Sequence, residues 1–218
     1  MRKISNEAQL AYILAKKFVF DKIDDVKEFT YNNIRWDLFI HVCKEQKTDF
    51  LLNLIDCHIP HKFRAEVDML KYIKCAKINL QLKEYSYIKE KFDVEGIDII
   101  WMKGIPLGKV IYDDIYLRYA NDMDFLIKNE KIPQAYYILR ELGYLQVMGV
   151  DKQANRIIAF DSPEFKFSGD YHELSCFKEI ADRIYLLVEL KRATSGIDER
   201  RIRNFYDNTM EITIEIRK

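Results

Sequence analysis

At Gly96 the spacing of apolar residues changes, and that change limits the chain to a fold that uses both helices and strands. Upstream, from His61 to about Asp93, no Pro or Gly interrupts the sequence, and Ile78, Leu82, Tyr85, Ile88 and Phe92 recur at steps of three or four. That is the repeat of a helix with one buried stripe. Downstream, Ile97, Ile99, Ile100, Trp101 and Met102 form a short run rich in β-branched and aromatic side chains, the pattern of a buried strand.

The residues before the long helix also follow helical spacing. Leu10, Ile13, Leu14 and Phe18 make one face of a first helix, and Ile34, Leu38, Phe39 and Val42 one face of a second. Thr48 is placed to cap a third helix carrying Phe50, Leu51 and Leu54, which Pro60 should close. Residues 1–95 are therefore expected to form a helical N-terminal region, and 96–218 a separate mixed core.

Within that core the order is strand, helix, strand, helix. Pro106 suits the first turn of a helix ending before Asp113-Asp114, and the second strand runs from Asp122 to Ile127. Pro133 opens a helix over QAYYILREL that Gly143 closes. Two paired strands come next, Tyr144 to Met148 and Asn155 to Phe160, then a loop through DSPEFKFSGDYHEL and a strong strand over RIYLLVELKR. The chain ends on the alternating pattern EITIEIRK, which suggests a short form or a chain cut before a further domain.

Residues 101–127 concentrate the chemistry. Lys103-Gly104 ends the first strand, Arg118 comes after the helix, and Asp122 and Asp124 sit two apart on the second strand, so both carboxylates project from one face. Neighbouring carboxylates on a rigid strand repel unless a cation lies between them, and a divalent metal meets that need. Glu189 is the one acid in an otherwise apolar run and needs a cation or a proton. A D-x-D spacing alone says little in a chain with 35 acids, where a solvated strand edge gives the same pattern. Lys103 can also be read as snorkelling from a strand end, and Arg118 as pairing with Asp113 or Asp114. His172 could reach the site from its loop or stay on the surface. Cys57, His58 and His61 faintly resemble a zinc cluster, but three such residues around a Pro turn more often mark a helix end.

Thirty-five basic and 35 acidic side chains leave no overall charge to draw in nucleic acid from a distance, although a local basic groove stays open. Charges interrupt the first apolar stretch, against an ordinary signal peptide or a membrane span. Cys43, Cys57, Cys75 and Cys176 are widely spaced and read as free thiols, so a cytoplasmic location is expected.

With IIWMKG, Tyr112, Arg118, NDMDFLI, the helix ending in ELGY, and LLVEL in view, the chain resembles the uncharacterised nucleotidyltransferase family of the DNA polymerase beta-like superfamily. The resemblance implies an α+β fold: a polymerase-beta-like core, a mixed sheet flanked by helices, behind a helical region. It implies that Asp122, Asp124 and Glu189 are the catalytic acids and hold two Mg2+ ions, with Mn2+ as an alternative. Lys103, Gly104 and Arg118 would serve the nucleoside triphosphate (NTP). The implied reaction moves a nucleoside monophosphate to a hydroxyl on a small molecule, a protein or an RNA end, releasing pyrophosphate. Two departures stand out: Gly104 precedes Ile105 where the wider superfamily has serine, and Lys191 stands where many relatives have histidine. They motivate an alternative, a catalytically weak transferase-like binding module in a regulatory or toxin-antitoxin pair, with the helical region as a protein-contact surface. Nucleic-acid binding without chemistry is a third reading.

Overall fold

The computed structural model describes residues 5–20, 29–112, 114–118, 120–151, 156–160, 173–181 and 184–192. The chain separates into two compact units, Met1–Cys75 and Ala76–Lys218, and the boundary falls inside a long helix. Among the described residues no helix is long and apolar enough to cross a membrane.

The first unit contains α1 (Asn6–Phe20), α2 (Trp36–Glu45), a 3-10 segment (Asp49–His58) and the start of α3 (His61–Val94). On α1, Leu10 and Leu14 are fully buried, with Ile13 and Phe18 packed beside them, as the spacing predicts. On α2 the buried stripe is Trp36, Phe39, Ile40 and Cys43, whereas Val42, expected on that face, is 43% exposed. Glu7 ties the two helices together, its Oε1 accepting from the backbone N–H of Arg35 at 3.0 Å and from Arg35 Nε at 3.3 Å.

The segment after α2 corrects a second expectation. Thr48 does not cap a third α-helix; its hydroxyl donates back to the Cys43 carbonyl at 3.4 Å and finishes α2. Residues 49–58 are 3-10 instead, with a break in helical geometry at Ile55 (φ −128°). A 3-10 turn places residues three apart on one face, which puts Leu52 and Ile55 together in the core; Leu51 is buried as well, while Leu54 is 36% exposed.

Among the described residues the second unit is built on a six-stranded mixed sheet of β1 (Ile99–Met102), β2 (Asp122–Ile127), β3 (Leu145–Asp151), β4 (Arg156–Phe160), β5 (Glu173–Ala181) and β6 (Ile184–Arg192), in the order β1-β2-β6-β5-β3-β4. Among the described residues only β2 and β6 run parallel; every other pairing is antiparallel. The helices α4 (Gly104–Tyr112) and α5 (Ile132–Glu141) fill the connections on either side of β2. Gly96 (φ +64°) ends α3, and Gly143 (φ +87°) comes after α5 in the left-handed conformation its position predicts. Strand β5 corrects the loop expected there: Glu173 and Leu174 belong to the strand. Residues 161–172, including His172, and the terminal EITIEIRK lie outside the described residues.

Alternation along the strands gives the sheet two unlike faces. One carries Ile99, Trp101, Met123, Phe125, Ile127, Leu186, Val188, Leu190, Leu174 and Cys176 against Ile78, Ile88 and Phe92 of α3 and Tyr136 and Leu139 of α5. The intervening residues, Asp122, Asp124, Leu187, Glu189, Lys191, Glu173 and Ser175, must then point to the other face. On the core side, Glu84 of α3 accepts from Tyr144 Oη at 3.1 Å and from Lys178 Nζ at 3.0 Å, so α3, the start of β3 and β5 share one polar knot.

Candidate functional site

Register brings the acids together. In the parallel β2–β6 pair Asp124 stands opposite Glu189, and Asp122, two residues earlier, opens onto the same face. One carboxylate oxygen from each of Asp122, Asp124 and Glu189 lies within 4.8 Å of the others, and Asp124 is only 3% exposed. Among the described residues these are the one group of three side chains placed to hold a metal; Cys57, His58 and His61 do not form one. His58 instead stacks on Tyr31, with ring centroids 4.1 Å apart. A cavity of about 480 Å³ lined by Tyr31, Arg35, Trp36, His58, Lys62 and Phe63 belongs to the helical unit and contains none of these acids.

Three like charges this close need compensation. Lys103 Nζ lies 3.2 Å from Asp124 Oδ1, and Lys191 Nζ lies 3.1 Å from the same oxygen. Lys191 also reaches Glu189 Oε2 at 2.9 Å and Glu173 Oε2 at 2.7 Å. Burial works against the Lys191 ammonium, yet its hydrogen bonds to Glu173, Glu189 and Asp124 outweigh that and hold its pKa above the ordinary lysine value. Glu189 moves the other way from stable ionisation. Burial raises its pKa, Glu173 and Asp122 add to the rise, and Lys191 only partly offsets them. The carboxylates therefore carry more negative charge than the two lysines cancel. Their hard oxygen donors suit Mg2+ or Mn2+. Opposite oxygens around a Mg2+ ion are about 4.2 Å apart, a spacing that the clustered carboxylates accommodate, so the residues fit the cation.

Lys103 reaches the site from an unusual backbone. It has φ +55°, rare for a residue with a side chain, and Gly104 comes next at φ +41°. The two left-handed residues turn β1 directly into α4. A Cβ on Gly104 would sit 3.0 Å from Ala120 Cβ, and one on Gly108 would sit 3.2 Å from Arg118 Cβ, so α4 lies tightly against the segment that leads into Asp122. Gly104 is buried and the space beside its bare α-carbon is filled by Ala120, a packing reason for glycine at this turn. Arg118 is exposed beside α4, and no ion pair among the described residues joins it to the three acids.

Two contributors were not singled out from sequence. Glu173, as the cross-strand neighbour of Lys191, adds a fourth carboxylate. Gln81, 3% exposed on α3, donates from Nε2 to the Ala120 carbonyl at 2.9 Å and so fixes the approach to Asp122. Glu173 begins an alternating Glu-Leu-Ser-Cys, too short before Phe177 interrupts it to signal a strand. Gln81 lies next to Leu82 of the buried stripe and gives no signal of its own.

No curated protein and no solved structure matches the chain. A family described as uncharacterised nucleotidyltransferase matches residues 32–198, well over half of the 218 residues and inclusive of Lys103, Asp122, Asp124, Glu173, Glu189 and Lys191. The chain therefore belongs to the uncharacterised nucleotidyltransferase family.

Proposed function

We propose that the protein is a metal-dependent nucleotidyltransferase with a polymerase-beta-like core. It moves a nucleoside monophosphate from an NTP to a hydroxyl acceptor and releases pyrophosphate. The observation that carries this reading is the facing of Asp124 and Glu189 across parallel strands with Asp122 on the same face. Asp122, Asp124 and Glu189 would hold Mg2+ or Mn2+, which when bound supplies Lewis-acid polarisation of the phosphate and neutralises charge on the attacking and leaving oxygens.

The chain's own residues account for the rest. Lys103, 55% exposed at the mouth of the site, can swing from Asp124 toward an incoming phosphate while staying close to that acid. The N-terminal turn of α4, which starts at Gly104, favours negative charge. Arg118 on the neighbouring loop offers planar donors to phosphate oxygens. Glu189, half-buried opposite Asp124, would help ligate the metal or take the proton of the attacking hydroxyl. The acceptor is a small molecule, a protein side chain or an RNA end.

Incubation with each α-labelled NTP and Mg2+, followed by separation of protein, RNA and small-molecule products, tests the activity. Label transfer lost in Asp124→Asn supports it. No turnover and no binding with any NTP counts against it. A second reading draws on Ile105, which is 1% exposed in the core where a phosphate-binding serine would help. On that reading the protein binds NTP without turnover and acts through a partner.

A further inference from the structure

The role of Lys191 goes beyond the family reading, although it rests on the site being a nucleotidyltransferase centre. An ammonium has three N–H donors, and those of Lys191 face three different carboxylates: Asp124 at 3.1 Å, Glu189 at 2.9 Å and Glu173 at 2.7 Å. Register puts it there. Lys191 lies two residues beyond Glu189 on β6, shares its face, and has Glu173 as cross-strand partner on β5. The side chain is only 22% exposed, so it fills the space between the acids rather than leaning over them from solvent.

Charge points the same way. Among the described residues four carboxylates, Asp122, Asp124, Glu189 and Glu173, face two ammonium groups, Lys103 and Lys191, and with all four ionised the excess is two negative charges. One divalent ion balances that excess, whereas two would leave the cluster positive before any nucleotide arrived. Among the described residues no lysine or arginine pairs with Asp122, which leaves it available as a ligand.

We propose that Lys191 is the resident second cation of this site. Its ammonium holds the position between Asp124, Glu189 and Glu173, and in the absence of nucleotide the carboxylates take up one divalent ion rather than two. Lys191 is a positioning residue for the acids, replacing part of the charge that a second metal would bring.

The test counts Mn2+ bound to the nucleotide-free protein, by calorimetry and by loss of the free-ion paramagnetic resonance signal, in wild type, Lys191→Met and Lys191→Arg. The expected result is one ion per chain for wild type and Lys191→Arg, and two for Lys191→Met. Two ions in wild type, or the same count in wild type and Lys191→Met, overturns the proposal while leaving the transferase reading intact. No Mn2+ bound by any of the proteins, or binding undiminished in Asp122→Asn plus Asp124→Asn, overturns the metal site itself and this proposal with it. Circular dichroism checks each fold. If Lys191→Met does not fold, the wild-type count decides, one ion upholding the proposal and two rejecting it.

Discussion

Asp124 of β2 and Glu189 of β6 stand directly opposite each other on parallel strands, 65 positions apart in sequence. Like charges paired in this way weaken a sheet, typically by a few tenths to about 1 kcal/mol. Asp122 adds to the crowding without a lysine partner among the described residues. Asp122→Asn is therefore expected to stabilise the metal-free protein by up to about 1 kcal/mol while cutting nucleotidyl transfer at least about a hundredfold. Thermal melts in chelator, paired with label-transfer rates, check both halves. An acid with a merely structural role would lose stability instead.

Gly104 and Gly108 separate two demands on the turn after β1. Gly104 lies close to Ala120 and Gly108 to Arg118, but of the two only Gly104 has positive φ. Gly104→Ala should cost about 1–2 kcal/mol from backbone strain, with a further penalty from crowding Ala120. Gly108→Ala gains helix propensity and needs only a small shift of Arg118, so its net effect should be smaller. Urea titrations of the two variants rank them.

The knot of Glu84, Tyr144 and Lys178 should matter more to folding than to chemistry. Glu84→Ala leaves a buried phenol and a mostly buried ammonium without their shared acceptor. The expected cost is about 2–3 kcal/mol. Replacing all three residues by Met, Phe and Met should recover much of it, because an apolar set of similar volume leaves nothing unpaired. Denaturant midpoints measure both variants.

Glu7 gives the protein an acid-sensitive tie. The Arg35 backbone N–H, helped by Glu7's own N–H and the Arg35 side chain, lowers its pKa from 4.5 to about 2. A carboxyl with a depressed folded pKa stabilises fully above its unfolded value and loses that contribution as pH falls toward its folded one. The stability gap between wild type and Glu7→Gln should hold steady above about pH 5 and narrow between 4.5 and about 2. A gap that is flat across that window would contradict the assignment. Unfolding curves at stepped pH supply the measurement.

Local pattern carried much of this structure. The long helix, found at His61–Val94, was legible because a single apolar stripe persists without Pro or Gly. β2, found at Asp122–Ile127, was legible because apolar residues crowd around two acids two apart. Strand β5 was not, because Phe177 comes directly after Cys176 and blurs the alternation, and Lys178 and Glu179 then read as solvent-facing. Lys178 is in fact spent on Glu84, a partner 94 residues away that no local pattern reveals. The order of the strands in the sheet is likewise a long-range property. The three acids could be suspected from their local settings, but Glu173 could not, since its role depends on the β5–β6 register that sets it beside Lys191.

Asp122, Asp124 and Glu189 are proposed to act together in binding a cation and an NTP. The most direct measurement is calorimetric titration of NTP into the protein with Mg2+ and with chelator, in wild type and in Asp122→Asn plus Asp124→Asn. NTP binding to wild type should require Mg2+ and be lost in the double variant. NTP binding that is equally strong in the double variant, or binding of no NTP by wild type with Mg2+ present, would contradict that joint role.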